Sequence, residues 1–78
     1  MDPITDDMKV AAVIERYPAT VAVFLGRGCP DMRGGFFSLM ARLMSVRRAA
    51  RTHKIELAPL LEDLNRAASR EEADVTRR

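Results

Sequence analysis

The chain has 78 residues, 47% of them apolar and 31% charged, with one cysteine and one histidine. That length makes one small domain with no room for a second core, and a lone cysteine excludes a disulfide within the chain. No run approaches the roughly 18 apolar residues of a membrane span.

The formal net charge of +2 conceals an uneven distribution. Residues 1–26 carry two cations against four acids, net −2; residues 27–54 carry seven cations against Asp31 alone, net +6; residues 55–78 carry four against six, net −2. A basic block therefore lies between two mildly acidic ends. The start, MDPITDD, has neither the basic nor the apolar region of a signal peptide, so a soluble cytoplasmic protein in a reducing compartment is expected.

In chain order, Pro3-Ile4-Thr5 should be extended with Ile4 inward, and Asp6 and Asp7 suit the start of a helix. Val10, Val13, Ile14 and Tyr17 follow at helical spacing, and Pro18 ends that helix because the residue before a proline avoids the α region. A second helix is predicted from about Ala19 to Arg27, with Val21, Phe24 and Leu25 inward and Gly28 as its left-handed cap.

Residues 26–35, GRGCPDMRGG, hold every glycine and the cysteine, and so read as a loop that neither neighbouring helix crosses. Next comes FFSLMARLM, where Phe36, Phe37, Leu39, Met40, Leu43 and Met44 cover more than one face of a helix. Such a helix is either fully buried or touches something besides its own core, and full burial is hard to arrange in so small a domain. Ser45 is a good N-cap for VRRAARTHK, with Val46, Ala49, Ala50 and His53 on one face and Arg47, Arg48, Arg51 and Lys54 on the other. The last helix carries Leu57, Leu60, Leu61, Leu64, Ala67 and Ala68 on one stripe and tolerates Pro59 in its first turn. The expected fold is all-α, a compact orthogonal bundle of about five short helices. One domain over 1–78 is expected, with its core at about 4–68 and a frayed tail over 69–78.

ITDDMKVAAVIERYPATVAVFLGRGC and SVRRAARTHKIELAPLLEDLN, with the spacing between them, resemble the hybrid-cluster-protein-associated redox disulfide domain family. The N-terminal domain of the iron–sulfur cluster repair di-iron proteins is similar to that family. The family pattern runs from an Ile-Thr start through a Tyr-Pro helix end and a cysteine loop to a Leu-Leu-x-x-Leu-Asn finish. The resemblance covers about Ile4 to Ala68 and implies a small helical domain of largely unknown function. Three features depart from it, the first a longer segment between the loop and Ser45, where the FFSLMARLM helix is inserted or enlarged. Members with the redox name carry two cysteines in the loop, and here only Cys29 is present. Lys54 also replaces the usual glycine after the histidine, which costs a little at the helix end.

Cys29 lies between Gly28 and Pro30, near Arg27 and Arg33 in sequence. Cationic neighbours and exposure would lower its pKa, as in a single-thiol redox sensor, an intermolecular disulfide or a ligand of a metal shared across a dimer. The alternative is a buried, inert thiol. His53, at a helix end, reads as a structural residue packed on the Val46 face, and Met32, Met40 and Met44 as core filling. No metal or cofactor site is expected, since the converging ligands such a site requires are missing. Arg33, Arg42, Arg47, Arg48 and Arg51 form a basic patch that suits an acidic partner, a solvated face or, as a further alternative, nucleic acid. Gly34-Gly35 lacks the lysine and hydroxyl of a phosphate loop and reads as a hinge.

The chain offers no arguable catalytic constellation, so a non-enzyme is expected. It should act by binding, as a homodimer or on a redox or metalloprotein partner. Phe36, Phe37, Met40, Leu43 and Met44 supply the apolar contact.

Overall fold

The computed structural model describes residues 3–29 and 34–77, with side chains described as far as residue 74. Among these residues are five helices: α1 (Val10–Arg16), α2 (Thr20–Gly26), α3 (Gly35–Leu43), α4 (Val46–Thr52) and α5 (Leu57–Arg77). The all-α expectation holds. In place of any sheet there is one isolated antiparallel bridge, between Lys9 and Ser45.

Local chemistry sets most of the helix ends. Tyr17, ahead of Pro18, takes a non-helical backbone (φ −130°, ψ 81°) and stops α1. Gly28 has φ +99°, the left-handed conformation that closes α2, where Cys29 N donates to Phe24 O at 3.0 Å. Ser45 Oγ accepts from Arg48 N at 3.1 Å and caps α4. Pro59 is the third residue of α5, where its missing N–H takes no bond from the helix.

α5 is the spine. Its 21 residues span about 31 Å of a molecule 36 Å in its longest dimension. It packs against α2 and α4, while α1 packs against α3 and α2. Phe24, Leu60, Leu64, Val10 and Val46 are the largest fully buried apolar side chains. Buried Thr20 is satisfied, its hydroxyl donating to Tyr17 O at 2.7 Å.

Three expectations change. Asp6 and Asp7 do not cap α1, which starts later behind Lys9. The preceding backbone is engaged elsewhere: Val46 N donates to Met8 O at 2.9 Å, Val10 N to Met44 O at 3.0 Å and Arg47 N to Asp6 O at 2.9 Å. Those bonds, with a turn closed by Met8 N donating to Thr5 O at 3.3 Å, hold residues 6–10 against the α3–α4 junction. Leu25, expected inward, is 40% exposed.

The helical tail is the third change. α5 continues to Arg77 rather than ending near residue 68, because its acids have partners on the bundle. Tyr17 Oη donates to Glu72 Oε1 at 3.1 Å, and Ala19 N to Glu71 Oε1 at 3.3 Å. Glu71 thus pairs the N–H of Ala19, the residue that precedes α2 and has no capping side chain of its own.

Candidate functional site

α3 carries the anomaly of the molecule. Its one buried residue is the small Ala41, while Phe36 is 67%, Leu43 61%, Leu39 54% and Phe37 45% exposed. Phe36, Leu39 and Leu43 follow at i, i+3 and i+7, so they form one outward stripe about 10 Å long. The backbone explains why these side chains stay out. α3 is short, begins at Gly35 in the left-handed conformation (φ +63°), and is tied at its far end by the Lys9–Ser45 bridge. Lys9 Nζ also donates to Leu43 O at 3.0 Å, a second tie between the N-terminal segment and the end of the helix.

Beside the stripe runs an apolar groove of about 190 Å³. Phe36, Phe37 and Met40 of α3 and Met44 just after it form one wall, and Ala49, Thr52 and His53 form the other, with Val10 at the floor. The two phenyl rings meet edge to face, with centroids 5.8 Å apart. Met40 and Met44 are half-buried. Of the expected contact residues, Phe36, Phe37, Met40 and Met44 are brought together here, and Leu43 extends the patch outward. Thr52 and His53 were not anticipated as its lining. Helical spacing carried the signal, since His53 falls on the Val46–Ala49–Ala50 face.

The basic patch adjoins the groove. Ser45, Arg47, Arg48, Arg51 and Thr52 line a neighbouring depression of about 450 Å³, and Thr52 belongs to both. Arg47 pairs with Asp6 at 3.4 Å. Among the described residues, the side chains of Arg48 and Arg51 have no ion-pair partner, and both are exposed. Arg42 is exposed in the last turn of α3; Arg33 lies outside the described residues.

Cys29 is elsewhere, and its environment is the reverse of an activated thiol's. It belongs to the hydrophobic core, and burial pushes its pKa up. Arg27, the expected cationic neighbour, is bound to Asp63, and that hydrogen bond holds the Asp63 carboxyl below the usual carboxylate range. Among the described residues no three His, Cys, Asp or Glu side chains converge on a metal site. A larger open depression of about 510 Å³ lies between α2 and α5, where Ala19, Ala22, Val23 and Ala67 adjoin Arg70, Glu71 and Asp74. It brings together no nucleophile and base. No helix of the described residues is long and apolar enough to cross a membrane.

No curated protein and no solved structure matches the chain. A family match covers residues 4–61, from the extended start through the groove to the first turns of α5. The chain belongs to the family described as a domain of unknown function, DUF1858.

Proposed function

We propose that this chain is a non-enzymatic helical interaction domain that acts by binding another polypeptide through the outer face of α3. The observation that carries this reading is the exposure of Phe36, Leu39 and Leu43 on a single stripe. Each large apolar side chain left in water forgoes about 1.5–3 kcal/mol of burial. A contiguous patch of them beside a preformed groove marks a contact surface. The occupant is a second copy of the chain or, following the resemblance to the hybrid-cluster-associated redox family, a larger redox or metalloprotein. A single-thiol function for Cys29 is disfavoured by its burial and raised pKa.

The test is solution mass by light scattering, with and without reductant, on the natural chain and on Phe36→Asp/Leu43→Asp. Both side chains are exposed, so the double variant should fold with unchanged or improved solubility. An assembly that survives reduction and is lost in the variant supports the reading. So does a monomer whose binding to an added partner peptide is lost in the variant. If the variant changes neither mass nor binding, the contact surface is not on α3.

A further inference from the structure

We infer that the α3–α4 groove takes an acidic amphipathic helix from a different protein, not a second copy of this chain. This rests on the reading of α3 as a contact surface and adds the chemistry of the occupant. An outward stripe at i, i+3 and i+7 is the pattern that packs against a partner helix along its length, and the groove beside it accepts an apolar anchor. That sets the apolar half of the recognition.

Charge sets the other half. From Met32 to Ile55 the sequence contains no aspartate or glutamate, yet it holds Arg33, Arg42, Arg47, Arg48, Arg51 and Lys54. Arg48 and Arg51 stand unpaired in the depression that shares Thr52 with the groove. A helix seated in the groove therefore places one flank beside two free guanidinium groups, and carboxylates on that flank complement them. In an isologous dimer the same patch meets itself, bringing the unpaired Arg48 and Arg51 to both sides, while the acid beside them, Asp6, is already engaged by Arg47. Like charges across an interface disfavour that arrangement. Nucleic acid would use the same arginines, but it leaves the aliphatic stripe of Leu39 and Leu43 without a partner.

The test uses the isotopically labelled full chain and two synthetic peptides of about 18 residues, some five helical turns each. Both have leucines at i, i+3, i+4 and i+7. One carries glutamates beside the leucine stripe, and the other carries lysines at the same positions. The glutamate peptide is expected to shift amide signals of residues 36–44 and 48–53, more weakly as salt is raised; the lysine peptide is not. Arg48→Glu/Arg51→Glu should weaken binding of the glutamate peptide about tenfold and create binding of the lysine peptide. Glutamate at 48 forms a capping box with Ser45, so this variant keeps α4.

Equal binding of both peptides, or indifference to the charge reversal, overturns the acidic partner and leaves α3 as a contact surface. Peptide-free, concentration-dependent shifts of the same amides overturn it in favour of a second copy. Tighter binding of a single-stranded oligonucleotide than of the glutamate peptide overturns it in favour of nucleic acid. If neither peptide shifts α3 signals and Phe36→Asp/Leu43→Asp is silent by light scattering, the contact-surface reading falls too.

Discussion

Asn65 holds Ile4 by both of its backbone groups. Ile4 N donates to Asn65 Oδ1 at 2.7 Å, and Asn65 Nδ2 donates to Ile4 O at 3.1 Å and to Leu61 O at 2.9 Å. The side-chain amide takes the place of a neighbouring strand and fixes the N-terminal segment to α5, with Ile4 itself buried. Asn65→Ala leaves a backbone donor and acceptor unpaired in a largely closed site. It should lower stability by about 2–3 kcal/mol, read as a fall in the urea midpoint at unchanged slope. Asn65→Asp keeps the acceptor and loses the donor, and should fall between the two. A change near zero for Asn65→Ala would mean that water serves Ile4 equally well.

Lys54 sits at φ +57°, in the left-handed region that disfavours any residue with a Cβ. That strain is about 1–2 kcal/mol, partly offset by the about 0.5–1 kcal/mol of extra chain entropy that glycine loses on folding. Lys54→Gly should therefore stabilise the domain by about 0.5–1 kcal/mol, and thermal unfolding measures it. A lower melting temperature would show that the lysine side chain contributes more than its backbone costs.

Ser45 has two duties, since its hydroxyl caps α4 and its backbone bridges to Lys9. Ser45→Ala removes only the first. The expected loss is about 1 kcal/mol of stability, with Ser45→Gly losing a few tenths of that scale. Retention of the Met8–Val46 backbone bond, followed by amide exchange at Val46, would separate the cap from the bridge.

The Cys29 thiol gives a pH signature whose sign follows from burial. The native state holds the proton more tightly than the unfolded chain, because desolvation raises the folded pKa. Stability is then insensitive to this group well below the unfolded thiol's pKa of about 8.5, where both states keep the proton. It falls as pH rises from there through the folded pKa, since unfolded chains release protons first. The difference between the natural chain and Cys29→Ala, measured by urea unfolding across that range, isolates the effect from other alkaline titrations. Iodoacetamide should label the native thiol far more slowly than the urea-unfolded one. Equal rates would place the thiol in contact with solvent.

What the sequence made legible was whatever neighbours along the chain decide. The Tyr17-Pro18 stop, the Gly28 cap and the Ser45 cap are backbone rules within a few residues, and each appears where expected. The excess of apolar residues on α3 was also visible, and Phe36, Phe37, Leu39 and Leu43 are exposed. What was not legible depends on distant partners. Asp6 pairs with Arg47 instead of capping α1, Glu71 and Glu72 keep α5 helical past residue 69, and Arg27 is drawn from Cys29 to Asp63. Asn65 was visible only as a letter at the end of a leucine motif. Its backbone partner lies 61 positions away, which no periodicity can encode.

The same separation governs how the domain is made. A ribosome adds about 5–20 residues per second, so Asn65 follows Ile4 by roughly 3–12 s. During that interval the backbone of Ile4 has no native partner, and α2 and α4 are synthesised before α5 exists to cover them. Closure is therefore a late event that follows synthesis of the spine helix. In that waiting period, groups that the finished core conceals share the solvent with the α3 stripe, which stays open afterwards. Nascent-chain lengths that stop short of residue 65 are the ones that chaperones will meet.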